Sequence, residues 1–90
     1  MVEHRVVIGS SVGLHARPAA LFVQAAGRQP VSVTIGKDGV EPVDARSILM
    51  VLGLDAKGGD EVVLSASGDG ADAAIEELAA LLATDLDAAP

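Results

Sequence analysis

Ninety residues allow one modest hydrophobic core and leave too little chain for a deeply buried catalytic pocket. A formal charge of −7 with only six basic residues argues against nucleic acid, and a single aromatic residue, Phe22, removes any base-stacking platform. Cysteine is absent and no apolar run approaches the ~20 residues of a membrane span, so a cytoplasmic protein without disulfides or membrane insertion is expected. Core volume must come from Val, Leu, Ile and Ala.

Residues 4–8 read as a first strand, with Val6 and Ile8 on one face and Arg5 on the other. Residues 9–13 form a loop. Ala19, Phe22, Val23 and Ala26 fall at i, i+3, i+4 and i+7, which predicts a helix over about residues 16–26, stopped by Gly27. Val31, Val33 and Ile35 alternate with Ser32 and Thr34 in a half-buried strand. Gly36-Lys37-Asp38-Gly39 signals a hairpin turn into an edge strand near residues 40–44, where Pro42 suits an edge or a bulge. Ser47 caps a short apolar helix ending near Leu54. Val62, Leu64 and Ala66 alternate with Val63 and Ser65 in a fourth strand, and Gly68-Asp69-Gly70 is a turn. Ile75, Leu78, Ala79 and Leu82 mark the inner face of a last helix, and residues 85–90 are expected to fray. The order βαββαβα, without linker or repeat, suggests a single α+β domain over residues 1–90 with helices on one face of an antiparallel sheet.

The densest chemistry lies in Gly13-Leu14-His15-Ala16-Arg17-Pro18-Ala19. Pro18 fits a first helical turn, whose amides have no intrahelical partner to lose, and His15 falls in the capping position. The amides of Ala16 and Arg17, the positive end of the helix dipole and the Arg17 guanidinium together make an anion station. A neutral imidazole there can accept a phosphoryl group and pass it on, and the dipole disfavours the imidazolium. The bland alternative is a surface histidine capping a helix.

His4 reads as a surface histidine, Ser10 and Ser11 as loop polarity, and two histidines without cysteine make a weak metal case. Ile48-Leu49-Met50-Val51-Leu52 is too continuously apolar for one face of a short helix. Burial is favoured for Ile48 and Val51, which leaves Leu49, Met50 and Leu52 facing outward.

The His15 segment resembles the active-site motif of HPr, the histidine-containing phosphocarrier family of the bacterial phosphoenolpyruvate-dependent sugar phosphotransferase system. Ala45-Arg46-Ser47-Ile48-Leu49-Met50-Val51-Leu52 resembles the family's regulatory-serine helix, and Lys57-Gly58-Gly59-Asp60-Glu61-Val62 the turn into its last strand. With three segments in register over the whole length, the resemblance implies an open-faced β-sandwich: a four-stranded antiparallel sheet covered on one face by three helices. It implies that His15 and Arg17 carry the phosphoryl group from enzyme I to sugar-specific enzyme IIA domains, with Ala16 and Arg17 as the phosphoryl-binding backbone. Such a carrier turns over no substrate of its own, needs no cofactor or metal, and is expected to be a monomer. A docking patch of Ala20, Gln24, Ile48, Leu49, Met50 and Leu52 is implied beside His15.

Ser47 matches a serine that a dedicated kinase phosphorylates in some members, which places HPr kinase/phosphorylase or a transcription regulator among the implied partners. Two alternatives stay open: a paralogue in a regulatory phosphotransfer chain, and a binding module that acts through Ser47. Departures from the family pattern are Val12, Gln24, Met50, Asp55 in place of a frequent glycine, and one extra residue around Val40-Glu41-Pro42.

Overall fold

The structure, a computed structural model, describes residues 1–9, 13 and 17–84. The elements run β1 (Val2–Val7), α1 (Arg17–Gly27), β2 (Val33–Lys37), β3 (Val40–Asp44), α2 (Ile48–Gly53), β4 (Glu61–Ala66) and α3 (Ala71–Ala83). The four strands form one antiparallel sheet in the order β1-β4-β2-β3. Strand β4 therefore sits inside the sheet, and its alternation Val62, Leu64, Ala66 places three apolar side chains on one face.

Register carries that face across the sheet. Leu64 lies opposite both His4 and Ile35, and Ile35 opposite Val43; Ala66 lies opposite Val2 and Val33. Phe22 of α1, Val51 of α2, and Ile75, Leu78 and Leu82 of α3 fill the space above this layer, all of them buried. Helix α3 packs on β1 and β4, α2 packs against β3, and α1 packs against both other helices. Among the described residues no helix lies on the other sheet face, where Arg5 donates to Glu61 at 3.0 Å and to Asp38 at 3.5 Å. The hydrogen bond to Glu61, then that to Asp38, holds the guanidinium above its ordinary pKa.

Three expectations shift in detail. The first strand begins at Val2 rather than residue 4, because its ladder with β4 extends to Val2 opposite Ala66. Val31 lies outside β2, half-buried against the core. Gly36 and Lys37 belong to β2, and only Asp38 and Gly39 turn, the two-residue Asp-Gly geometry suited to a hairpin. Edge strand β3 spans one more residue between Val43 and Val40 than β2 spans between Ile35 and Lys37, so the extra residue is absorbed as a bulge at Glu41 and Pro42.

Phe22 is the only aromatic residue and is fully buried. Phe22→Ala should cost about 3–5 kcal/mol, because the neighbouring aliphatic side chains cannot collapse into the space left. Urea unfolding followed by far-UV circular dichroism measures it; a loss under about 1 kcal/mol would show that the core does not depend on this ring.

Candidate functional site

Helix α1 opens with Arg17 exposed and Pro18 buried. No acidic residue stands in its first turn, so no carboxylate of the helix offsets the positive end of its dipole. His15 and Ala16 lie outside the described residues, as do Ser10, Ser11, Val12 and Leu14. The chain ahead of His15 is tied to the molecule on both sides of residues 10–12. The amide of Ile8 donates to the Asp60 carbonyl at 2.9 Å, Gly59 N–H to the Ile8 carbonyl at 3.0 Å, and Gly9 N–H to the Leu82 carbonyl at 2.9 Å. Gly13 has φ +78° and lies on the backbone of Ala56 and Lys57; a Cβ there would meet the Ala56 carbonyl oxygen and stand 2.6 Å from Lys57 Cα. Only glycine meets both conditions.

Helix α2 is capped as its sequence predicts. Ser47 is extended (φ −100°, ψ 110°), and its Oγ accepts the Met50 amide at 3.3 Å. Val51 and Leu54 point into the core. Leu49 is 78% exposed, Met50 50% and Leu52 36%. Ile48 departs from the inward orientation favoured for it and is 38% exposed. Three residues turn a helix by about 300°, so Ile48 stands about 60° off Val51 and about 120° off Leu54, at the side of the buried stripe. The result is four exposed aliphatic side chains on a helix of six residues. On α1, which packs against α2, Ala20 is half-buried and Gln24 exposed. Gly13 touches Ala56 and Lys57, which follow α2 three and four residues after its last residue, Gly53.

Past α2 the backbone turns at Asp55, whose φ of +52° makes it the left-handed non-glycine residue among those described. The Lys37 ammonium, from the end of β2, donates to the Asp55 carbonyl at 3.2 Å and lies 3.9 Å from Asp60 Oδ2. That same carboxylate oxygen accepts the Lys57 amide at 2.9 Å. Arg46 also works at a distance: its Nη2 donates to the carbonyls of Gln29 at 3.0 Å and Val31 at 3.3 Å, while Asp44 Oδ1 accepts its amide. These clamps join segments 15 to 18 residues apart, and no local sequence pattern marks them. His4 is exposed on β1, opposite Leu64. Among the described residues no group of three or more His, Cys, Asp or Glu side chains could hold a metal, and no helix is long and apolar enough to cross a membrane.

A family model described as the phosphorylation site of the HPr component of the phosphotransferase system matches residues 2–84. The chain belongs to the HPr family. It is 52% identical over 90 residues to the phosphocarrier protein HPr of Streptomyces coelicolor, covering all of this chain and 97% of that protein. The HPr-like protein Crh of Bacillus subtilis is 45% identical over 80 residues, 89% of this chain and 93% of Crh. Among solved structures, an HPr from Bacillus anthracis matches with a TM-score of 0.85 at 41% identity, over 90% of this chain and 95% of that one. The open-faced sandwich is thus the HPr fold, and the general role that goes with the family is carriage of a phosphoryl group in the phosphotransferase system.

Ser47→Ala removes the acceptor of the Met50 amide and should cost about 1 kcal/mol of stability, whereas Ser47→Asp should keep most of it. Thermal unfolding of the two variants measures this; equal melting temperatures would show that the cap contributes nothing.

Proposed function

We propose that this chain is a phosphocarrier that accepts a phosphoryl group on His15 from enzyme I, itself charged from phosphoenolpyruvate, and passes it to sugar-specific enzyme IIA domains in support of sugar uptake. The family match over residues 2–84 carries this reading, with Arg17 opening α1 and His15 two residues before it in the sequence. In the first transfer the bond between phosphorus and the donor histidine breaks as a bond from phosphorus to a His15 nitrogen forms, Nδ1 in our reading. The second transfer repeats the exchange toward an acceptor histidine. Both are in-line displacements in which positioning and electrostatics do most of the work. The Arg17 guanidinium and the amides of Ala16 and Arg17 meet the phosphoryl oxygens at the positive end of α1.

The exposed aliphatic face of α2 supports docking through Ile48, Leu49, Met50 and Leu52, with Ala20 and Gln24 on α1 beside it. A carrier must release each partner quickly, and a small apolar patch suits interfaces at or below about 1,200 Å². Methionine adapts to differently shaped partners. We place the protein in the cytoplasm, where its partners act, and read it as one domain and a monomer. Its relative Crh from Bacillus subtilis, 42% identical over 96% of this chain, crystallises as a swapped dimer.

A second reading is regulatory. Crh is described as the catabolite repression HPr of Bacillus subtilis, and this chain is 43% identical to it over 90% of its length. On that reading a phosphate on Ser47 sets about two negative charges beside the apolar face of α2, where it changes docking while the helix terminus tolerates it.

Incubation with phosphoenolpyruvate, magnesium and enzyme I should add one phosphoryl mass, acid-labile and alkali-stable, that is absent from His15→Ala. Arg17→Ala should slow the transfer by about 10–100-fold, as expected for a lost charged hydrogen bond. Leu49→Glu should raise the KM for this carrier about tenfold while leaving the adduct on His15. No adduct on folded wild type with an active donor would remove the carrier reading and leave the regulatory one.

A further inference from the structure

The turn at residues 55–60 touches the chain ahead of His15 at two points, Ile8 and Gly13. Through its Gly59 amide and Asp60 carbonyl it pairs with Ile8, and through the Ala56–Lys57 backbone it seats Gly13. What holds the turn itself is side-chain chemistry. Its first residue, Asp55, has a left-handed backbone that a non-glycine residue adopts at a cost, and the Lys37 ammonium binds its carbonyl at 3.2 Å. Its last residue, Asp60, closes the turn twice: its amide donates to the Lys57 carbonyl at 2.9 Å, and its Oδ2 accepts the Lys57 amide at 2.9 Å. Lys37 Nζ lies 3.9 Å from that same oxygen, so one ammonium addresses both ends of the turn. The Lys37 side chain is only 25% exposed, which limits the water competing for it.

We propose that Lys37 and Asp60 are positioning residues for phosphoryl transfer: together they fix the 55–60 turn as the seat of Gly13, two residues before His15, and so set where His15 is presented. The inference rests on the carrier reading for its chemistry and on the hydrogen bonds above for its geometry. Neither residue lies on the apolar face of α2. Losing either should therefore disturb the transfer step rather than docking. Transfer between two histidines is sensitive to placement, and a displacement of about 1 Å can cost up to about a hundredfold in rate.

The test uses the whole chain as substrate for enzyme I, comparing Lys37→Met, Asp60→Asn and Lys37→Arg with wild type, each checked for folding by circular dichroism. Lys37→Met removes the charge and the donors at similar length, Asp60→Asn keeps an acceptor for the Lys57 amide but removes the charge, and Lys37→Arg keeps both charge and donors. The expected result is a fall in kcat of about five- to tenfold for Lys37→Met and Asp60→Asn. KM should stay within about twofold of wild type, and Lys37→Arg should restore at least about half of kcat. The Gly13 amide resonance should move in both impaired variants, whether or not phosphoryl transfer is observed. Unchanged kcat in a folded Lys37→Met protein would overturn the proposal, as would a loss carried mainly by KM or not restored by arginine. If Asp60→Asn does not fold, the lysine pair decides alone. Wild type that takes no phosphoryl group contradicts the carrier reading instead; the geometric half then stands or falls on the Gly13 resonance.

Discussion

Strand β4 carries hydrogen-bond ladders on both edges, to β1 on one side and β2 on the other, and everything else in the molecule is arranged around that constraint. A strand paired on both sides can shed apolar surface only above or below the sheet. Val62, Leu64 and Ala66 face the helices, and the alternation of the neighbouring strands follows theirs in register. A one-residue slip would turn that whole layer outward. The three helices are thus obliged to lie on one side, and Phe22, with no other aromatic residue in the chain, fills the space where they meet.

Chemistry collects where those elements end. An element interior satisfies its own backbone groups, while helix starts and tight turns leave amides and carbonyls to be met by something else. The start of α1, the Ser47 cap, the left-handed Asp55 and the Asp60 turn are all such places, and contacts through Ile8 and Gly13 link the turn from Asp55 to Asp60 to the chain that precedes His15. The apolar face of α2 is the complementary exception. In a protein of net charge −7, it leaves four neighbouring aliphatic side chains exposed to water, the feature on which the proposed docking rests.

Periodicity made most of the architecture legible. The spacing of Phe22, Val33 and Ile35, Val62 and Leu64, and Ile75 to Leu82 marks buried positions because each element sheds water from one face only. Ser47 was legible as a cap because that role is local. Ile48 was not: the angle between it and the buried stripe is small, and only the position of α2 against β3 determines on which side of the boundary it falls. Gly36 and Lys37 looked like turn residues by composition, yet the ladder to β4 holds them in β2, an example of tertiary pairing overriding local preference.

By itself, then, the sequence determined the element order, the apolar face of each element, and the motif around His15 that ties the chain to a phosphocarrier family, since these depend on residue type and short-range spacing. Only the tertiary structure decided which distant groups meet: Lys37 with Asp55 and Asp60, Arg46 with the carbonyls of Gln29 and Val31, and Gly13 with the backbone of Ala56 and Lys57. The physical reason is that a carbonyl looks the same in every residue. Which one a lysine or arginine reaches is set by how the sheet and helices pack.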